Sequence, residues 1–243
     1  MRWESAAQTH RGNVRAVNED ALLDDPARRL WAVADGMGGH EAGDYASQSV
    51  THALRALALE TDLSERVDAV EDTLLDVNDH LRNHARLHCD GQTVGCTVVT
   101  LLVEDNVGVA LWAGDSRLYR MRDARIEQIT RDHNPVSDLL DSGGVTEEQA
   151  EAADTNIITR AVGGQRDLHL DVAVFDVLAG DTLLLCTDGL YRELDQPQLQ
   201  ACLEQRELNA AVDDMRSRVL AGAARDNLSM VMVRAVTDAE GSS

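Results

Sequence analysis

Apolar residues fall along this chain in two kinds of run. Short, nearly continuous runs rich in β-branched residues mark strands: Leu30–Ala34, Thr93–Val103, Val107–Ala113, Leu118–Met121, Ile126–Ile129, Leu168–Val177, Thr182–Cys186 and Ser229–Val236. The turn Glu104-Asp105-Asn106 between the second and third makes them a hairpin. Longer runs repeat at three and four residues and mark helices. Gly43–Leu59 carries Ala46, Val50, Ala53, Leu54 and Leu57 on one face, and Ser64–Leu87 carries Val67, Val70, Leu74, Val77 and Leu81. Ser64 reads as the N-cap of the second helix, and Asn209–Ala221 as a third helix before the last strand. Strands that follow one another through short turns favour antiparallel sheets, with the amphipathic helices packed outside.

The pattern breaks between Arg131 and Arg160, where two short helical pieces, Val136–Leu140 and Thr146–Ala153, flank a Gly-Gly. This polar stretch reads as a surface flap over about 131–160. Ala239–Ser243 reads as a disordered tail. No repeat or linker divides the rest, so one domain over residues 1–243 is expected.

Composition narrows the chemistry. Asp and Glu number 43 against 22 basic residues, a net charge of −21, which disfavours nucleic acid and anionic membranes as partners. Every basic residue is Arg. Without Lys there is no P-loop, no kinase strand lysine and no Schiff base. Cys89, Cys96, Cys186 and Cys202 form no C-x-x-C pair, as suits a reducing compartment. No apolar run approaches the roughly 20 residues of a membrane span and the N-terminus lacks a signal core, so a cytoplasmic location is expected.

Four aspartates stand beside a glycine or turn at a strand end: Asp35 in LWAVADGMGGH, Asp115 in ALWAGDSR, Asp188 in LLLCTDGL and Asp226 in ARDNLSMV. One such residue is an ordinary turn signal. Four gathered at one edge of a sandwich would repel unless cations neutralised them, and an all-oxygen site suits Mg²⁺ or Mn²⁺ rather than zinc. Arg15, three residues before Asn18-Glu19-Asp20, is placed either to fork onto a phosphate or to join a surface ion-pair cluster.

In order, R-x-x-N-E-D, D-G-M-G-G-H, G-C-T, G-D-S-R, T-D-G-L and R-D-N run from Arg15 to Asn227. Together they resemble the metal-dependent protein phosphatases of type 2C (PPM family), above all the single-domain bacterial serine/threonine phosphatases. The resemblance implies an α+β fold, a central β-sandwich of two antiparallel sheets flanked by helix pairs on both outer faces. It implies hydrolysis of phosphoserine and phosphothreonine by a water that bridges two Mn²⁺ or Mg²⁺ ions, without a covalent intermediate. Carried over by residue, Asp35 would bridge both metals and the Gly36 carbonyl would bind one. Asp188 and Asp226 would complete the carboxylates, and Glu19 and Asp20 would hold metal-bound waters. Asp115, shared with Asp188, would bind a third, weaker ion, and Arg15 would grip the phosphate. The implied partners are phosphorylated proteins and an opposing bacterial serine/threonine kinase, with the enzyme a monomer.

Two departures stand out. Met37 occupies the D-G-x-G-G position where animal relatives have His, leaving His40 or a metal-bound water as the leaving-group acid. Cys96 replaces the first Thr of the usual G-T-T. Cys186 and Arg192 show the spacing of cysteine-dependent tyrosine phosphatases, but Asp188 would lie inside that phosphate cradle and repel the substrate. His133 is expected to be structural. The alternatives are a catalytically weak phosphoprotein-binding module and a small-molecule phosphatase.

Overall fold

The computed structural model describes residues 1–38, 42–58, 62–137 and 157–237. In chain order its elements are β1 Arg2–His10, β2 Asp20–Asp25, β3 Leu30–Met37, α1 Ala42–Ala56, α2 Leu63–His88, β4 Gly95–Cys96, β5 Val98–Glu104, β6 Val107–Ala113, β7 Arg117–Arg122 and β8 Arg125–Gln128. After the flap region come β9 Asp171–Asp176, β10 Thr182–Cys186, α3 Asp188–Tyr191, α4 Gln196–Leu203, α5 Leu208–Ala221 and β11 Leu228–Val236.

The strands form two sheets, ordered β1-β11-β10-β7-β8 and β2-β3-β5-β6-β9, with β4 beside β3 and every pairing antiparallel. Alternate residues of the central strands face different cores. In β3, Trp31 and Val33 point between the sheets, while Leu30, Ala32 and Ala34 point to α1 and α2. In β10, Leu183 and Leu185 point inward, while Leu184 and Cys186 meet α3, α4 and α5. Three buried layers thus separate helices, sheet, sheet and helices. Strands covered on both faces need apolar residues at every position, hence the continuous runs rather than alternation.

Several boundaries differ from the sequence reading. β1 and β2 were not marked by the apolar pattern, because β1 is an edge strand with exposed Arg2 and Glu4 and β2 is half acidic. α4 was also unmarked; Asp195 and Gln198 build a capping box at its start and Pro197 fits its first turn. Asp62, not Ser64, caps α2, because its Oδ1 accepts from the amides of Ser64 at 2.9 Å and Glu65 at 3.4 Å. The expected single strand Thr93–Val103 breaks at Thr97 into β4 and β5. Leu168–Val177 contracts to β9, and α1 ends at Ala56. In the flap region, residues 135–137 begin a helical turn, and Asn134 Oδ1 accepts from Ser137 N at 2.8 Å. The rest of Val136–Leu140, all of Thr146–Ala153, His40 and the tail Ala239–Ser243 lie outside the described residues.

Candidate active site

The register brings the acidic strand ends to one end of the sandwich. Asp20 at the start of β2 pairs with Asp35 near the end of β3. Asp188 follows β10 and Asp226 precedes β11, whose ends pair as Cys186 with Met230. Asp115 lies between β6 and β7, and Arg117 pairs with Cys186. Gly36 sits where backbones crowd: its amide donates to the Glu19 carbonyl at 3.1 Å, and an added Cβ would lie 2.1 Å from the Gly43 carbonyl oxygen. Only glycine permits that approach.

Electrostatics make this edge unfavourable as it stands. Asp20 is 6% exposed and Asp115 is 3% exposed. Burial, reinforced by Asp188 and Asp226, pushes the Asp20 carboxyl up to about 7 despite hydrogen bonds from Ser229 and Thr187. Burial, with Asp188 and Asp132 nearby, raises Asp115 to about 6, against the pull of Arg192. Asp35 is driven well above the carboxylate range by burial and by Asp20, Asp188, Asp115 and Asp226. Asp188 is raised by burial and by Asp226, with Arg192 pulling the other way. Glu19 is raised by burial too, partly offset by Arg15. Arg15 Nη2 reaches Asp226 Oδ2 at 2.7 Å, and Arg192 Nε reaches Asp188 Oδ2 at 3.1 Å.

Two carboxylate oxygens, Asp20 Oδ1 and Asp188 Oδ1, are buried without a hydrogen-bond partner. Buried acceptors of this kind cost free energy unless a proton or cation meets them. Among the described residues, no three side chains of ligand type are drawn into a closed metal cage. The donors are all oxygen, which suits hard divalent ions.

A family model described as protein phosphatase 2C matches residues 7–230, from β1 into β11. The chain belongs to the protein phosphatase 2C family. The serine/threonine protein phosphatase PstP of Mycobacterium tuberculosis is 32% identical over 232 residues, covering 95% of this chain and 45% of its own length. The chain therefore spans about half the length of that relative. A solved structure of PppA, described as a key regulatory component of T6SS in Pseudomonas aeruginosa, superposes with a TM-score of 0.89 at 40% identity, covering 97% of this chain and 98% of PppA. The catalytic domain of PstP, solved with two manganese ions, gives a TM-score of 0.84 at 32% identity, covering 97% of this chain and 99% of that one. The two antiparallel sheets with outer helices fit this 2C fold.

Four of the six motifs of this 2C-family chain also hold a residue that sequence reasoning passed over. The Thr97 hydroxyl accepts from Asp35 N at 3.1 Å and its own amide donates to Asp35 O at 2.8 Å, while Ser116 Oγ lies 2.7 Å away. Thr187 Oγ1 donates to Asp20 Oδ2 at 2.9 Å and accepts from Ser229 N at 2.9 Å, stitching one sheet to the other. Asn227 takes the Glu19 amide on Oδ1 at 2.8 Å and donates to the carbonyls of Arg11 and Val17, each at 3.0 Å. The signal available was a polar residue inside an otherwise apolar strand end.

The cysteine alternative does not fit. Cys186 is fully buried, its thiol pushed up to about 12 by burial, and Arg192 is engaged with carboxylates. His133 is structural: its Nδ1 accepts from Gly114 N at 3.0 Å, its Nε2 lies 3.2 Å from Asp171, and its ring stacks on Trp112. Met37 ends β3, half-buried. No helix among the described residues is long and apolar enough to cross a membrane.

Proposed function

We propose that this chain is a metal-dependent phosphoprotein phosphatase that hydrolyses phosphoserine and phosphothreonine. The observation that carries this reading is the edge where Asp20, Asp35, Asp115, Asp188 and Asp226 converge, with buried, unpartnered oxygens on Asp20 and Asp188. An array so short of positive charge is built to receive cations. Asp35, Asp188, Asp226 and the Gly36 carbonyl would hold two divalent ions, with Glu19 and Asp20 fixing water beside them. When bound, such a pair supplies an acidified water for in-line attack on phosphorus and offsets charge on the phosphoryl oxygens. The manganese pair in the PstP structure supports this choice of cofactor.

The chain's own residues supply the rest. Arg15 is half-exposed on the rim and exchanges part of its contact with Asp226 for the phosphoryl oxygens, using its planar fork. Thr187 and Asn227 keep the β2 start and the preceding loop fixed against β11, so that Glu19 and Asp20 hold still during turnover. Met37 offers no proton to the leaving alkoxide, which would take one from His40 or from water.

The substrates are phosphorylated proteins in the cytoplasm, in opposition to a bacterial serine/threonine kinase. The test is hydrolysis of a phosphothreonine peptide with manganese, with EDTA, and after thiol alkylation. Activity that needs metal and survives alkylation is expected. Metal-independent activity lost on alkylation would restore Cys186. No activity with any divalent ion would leave a phosphoprotein-binding module.

A further inference from the structure

The site has one cation the motifs do not account for. Thr187 follows β10 and α3 begins at Asp188, so one helical turn carries Asp188 and Arg192 at a separation of four. That spacing puts an Arg side chain back over an Asp nearer the helix start. Its Nε lies 3.1 Å from Asp188 Oδ2, and its Nη2 lies 3.4 Å from Asp115 Oδ2. The guanidinium therefore bridges the two carboxylates that the family resemblance assigns to a third, weaker ion.

The surroundings fix this arrangement. Tyr191 Oη donates to the Asp115 carbonyl at 3.0 Å, tying α3 to the β6–β7 turn. Arg117 lies 3.6 Å from the centre of the Tyr191 ring and grips Asp132 through Nε at 2.9 Å and Nη2 at 2.7 Å. Arg192 engages Asp188 through Oδ2 alone, leaving Oδ1 buried and unpartnered on the same carboxylate. One oxygen is thus held by a protein cation while the other stays available to the two-ion centre. A guanidinium stays protonated at any working pH, and a divalent ion placed between the same two oxygens would meet its full repulsion.

We propose that Arg192 is the resident cation of the Asp115–Asp188 pair, a positioning residue that holds both carboxylates in register and excludes a third divalent ion. It runs against the third ion that the resemblance implies at Asp115, and it rests on the two-ion reading above. The enzyme then runs with two ions, and the third position carries a fixed charge that cannot be chelated away.

The test is manganese binding to the EDTA-stripped chain, followed by calorimetry and by the electron paramagnetic resonance of free Mn²⁺, with folding checked by circular dichroism. Wild type is expected to take two ions per chain and Arg192→Lys two. Arg192→Gln is expected to gain a third, which disappears again in Arg192→Gln/Asp115→Asn. Three ions in wild type, or an unchanged two in Arg192→Gln, would overturn the proposal while leaving the two-ion reading intact. No bound manganese in folded wild type would overturn both. Should Arg192→Gln fail to fold, Asp115→Asn decides: a count that stays at two supports the proposal, and a fall from three to two ends it.

Discussion

Removing Asn227 tests how the loop before β2 is held. Asn227 is 4% exposed and makes three side-chain hydrogen bonds, from Glu19 N at 2.8 Å and to the carbonyls of Arg11 and Val17 at 3.0 Å each. At about 1 kcal/mol net for each bond, Asn227→Ala removes about 3 kcal/mol. Water can reach the exposed Arg11 and Val17, which trims the loss, whereas the half-buried Glu19 amide is left with less relief. The expected cost is about 2–3 kcal/mol, measured by urea unfolding of the metal-free chain with linear extrapolation. Asn227→Asp sharpens the test. It keeps the size of the side chain and the acceptor for Glu19, but it turns a second carboxylate oxygen toward two carbonyls beside Asp226. Asp should therefore be worse than Ala, the reverse of what packing volume alone would give. Both variants should also weaken manganese binding, because Arg15, Glu19 and Asp20 lie on or next to the segment that Asn227 anchors. An Asn227→Ala chain within about 0.5 kcal/mol of wild type, or Asn227→Asp more stable than Asn227→Ala, would refute the clamp.

Asp35→Asn and Asp188→Asn should abolish phosphopeptide hydrolysis while raising the metal-free melting temperature, since each removes charge from a repelling set; full activity in either sinks the site assignment. Because Asp20 titrates near 7 folded against 3.8 ordinarily, its retained proton stabilises the metal-free fold fully below about pH 4, and that stabilisation is lost as pH rises through 7. The stability difference between wild type and Asp20→Asn should shift in favour of Asp20→Asn as pH rises through that window, and a pH-independent difference in urea midpoints would contradict it. Gly36→Ala forces a methyl to 2.1 Å from the Gly43 carbonyl oxygen and should cost about 3 kcal/mol or prevent folding; a wild-type melting curve would show that α1 can retreat.

How much of this was legible in the sequence depended on what each residue faces. Trp31, Val33, Leu183 and Leu185 sit in strands apolar on both faces, so their runs stood out and the sandwich followed. β1 and β2 hid because an edge strand with an exposed face carries residues such as Arg2, Glu4, Asp24 and Asp25 that propensity assigns to loops. The acidic residues of the candidate site were legible for a related reason. A carboxylate at the end of an apolar strand is locally costly, and a chain that repeats this cost four times signals a use for it.

Thr97, Thr187 and Asn227 were not legible because their work consists of long-range hydrogen bonds. Thr187 meets Asp20 across 167 positions and Asn227 meets Glu19 across 208. No local pattern encodes a partner that far away. Arg192 was hidden differently: its spacing from Cys186 suggested one phosphatase chemistry, while its spacing from Asp188 serves another. The fold decides between them: Arg192 stands one helical turn after Asp188 and pairs with it, whereas Cys186 is buried at the end of β10. The carboxylates supply the negative charge that any cation needs, and Arg192 limits how much of it remains for metal. A site of this kind balances two requirements, enough unneutralised charge to attract its ions and little enough for the metal-free chain to fold. The fixed guanidinium at the Asp115–Asp188 pair is where this chain has moved that balance toward folding.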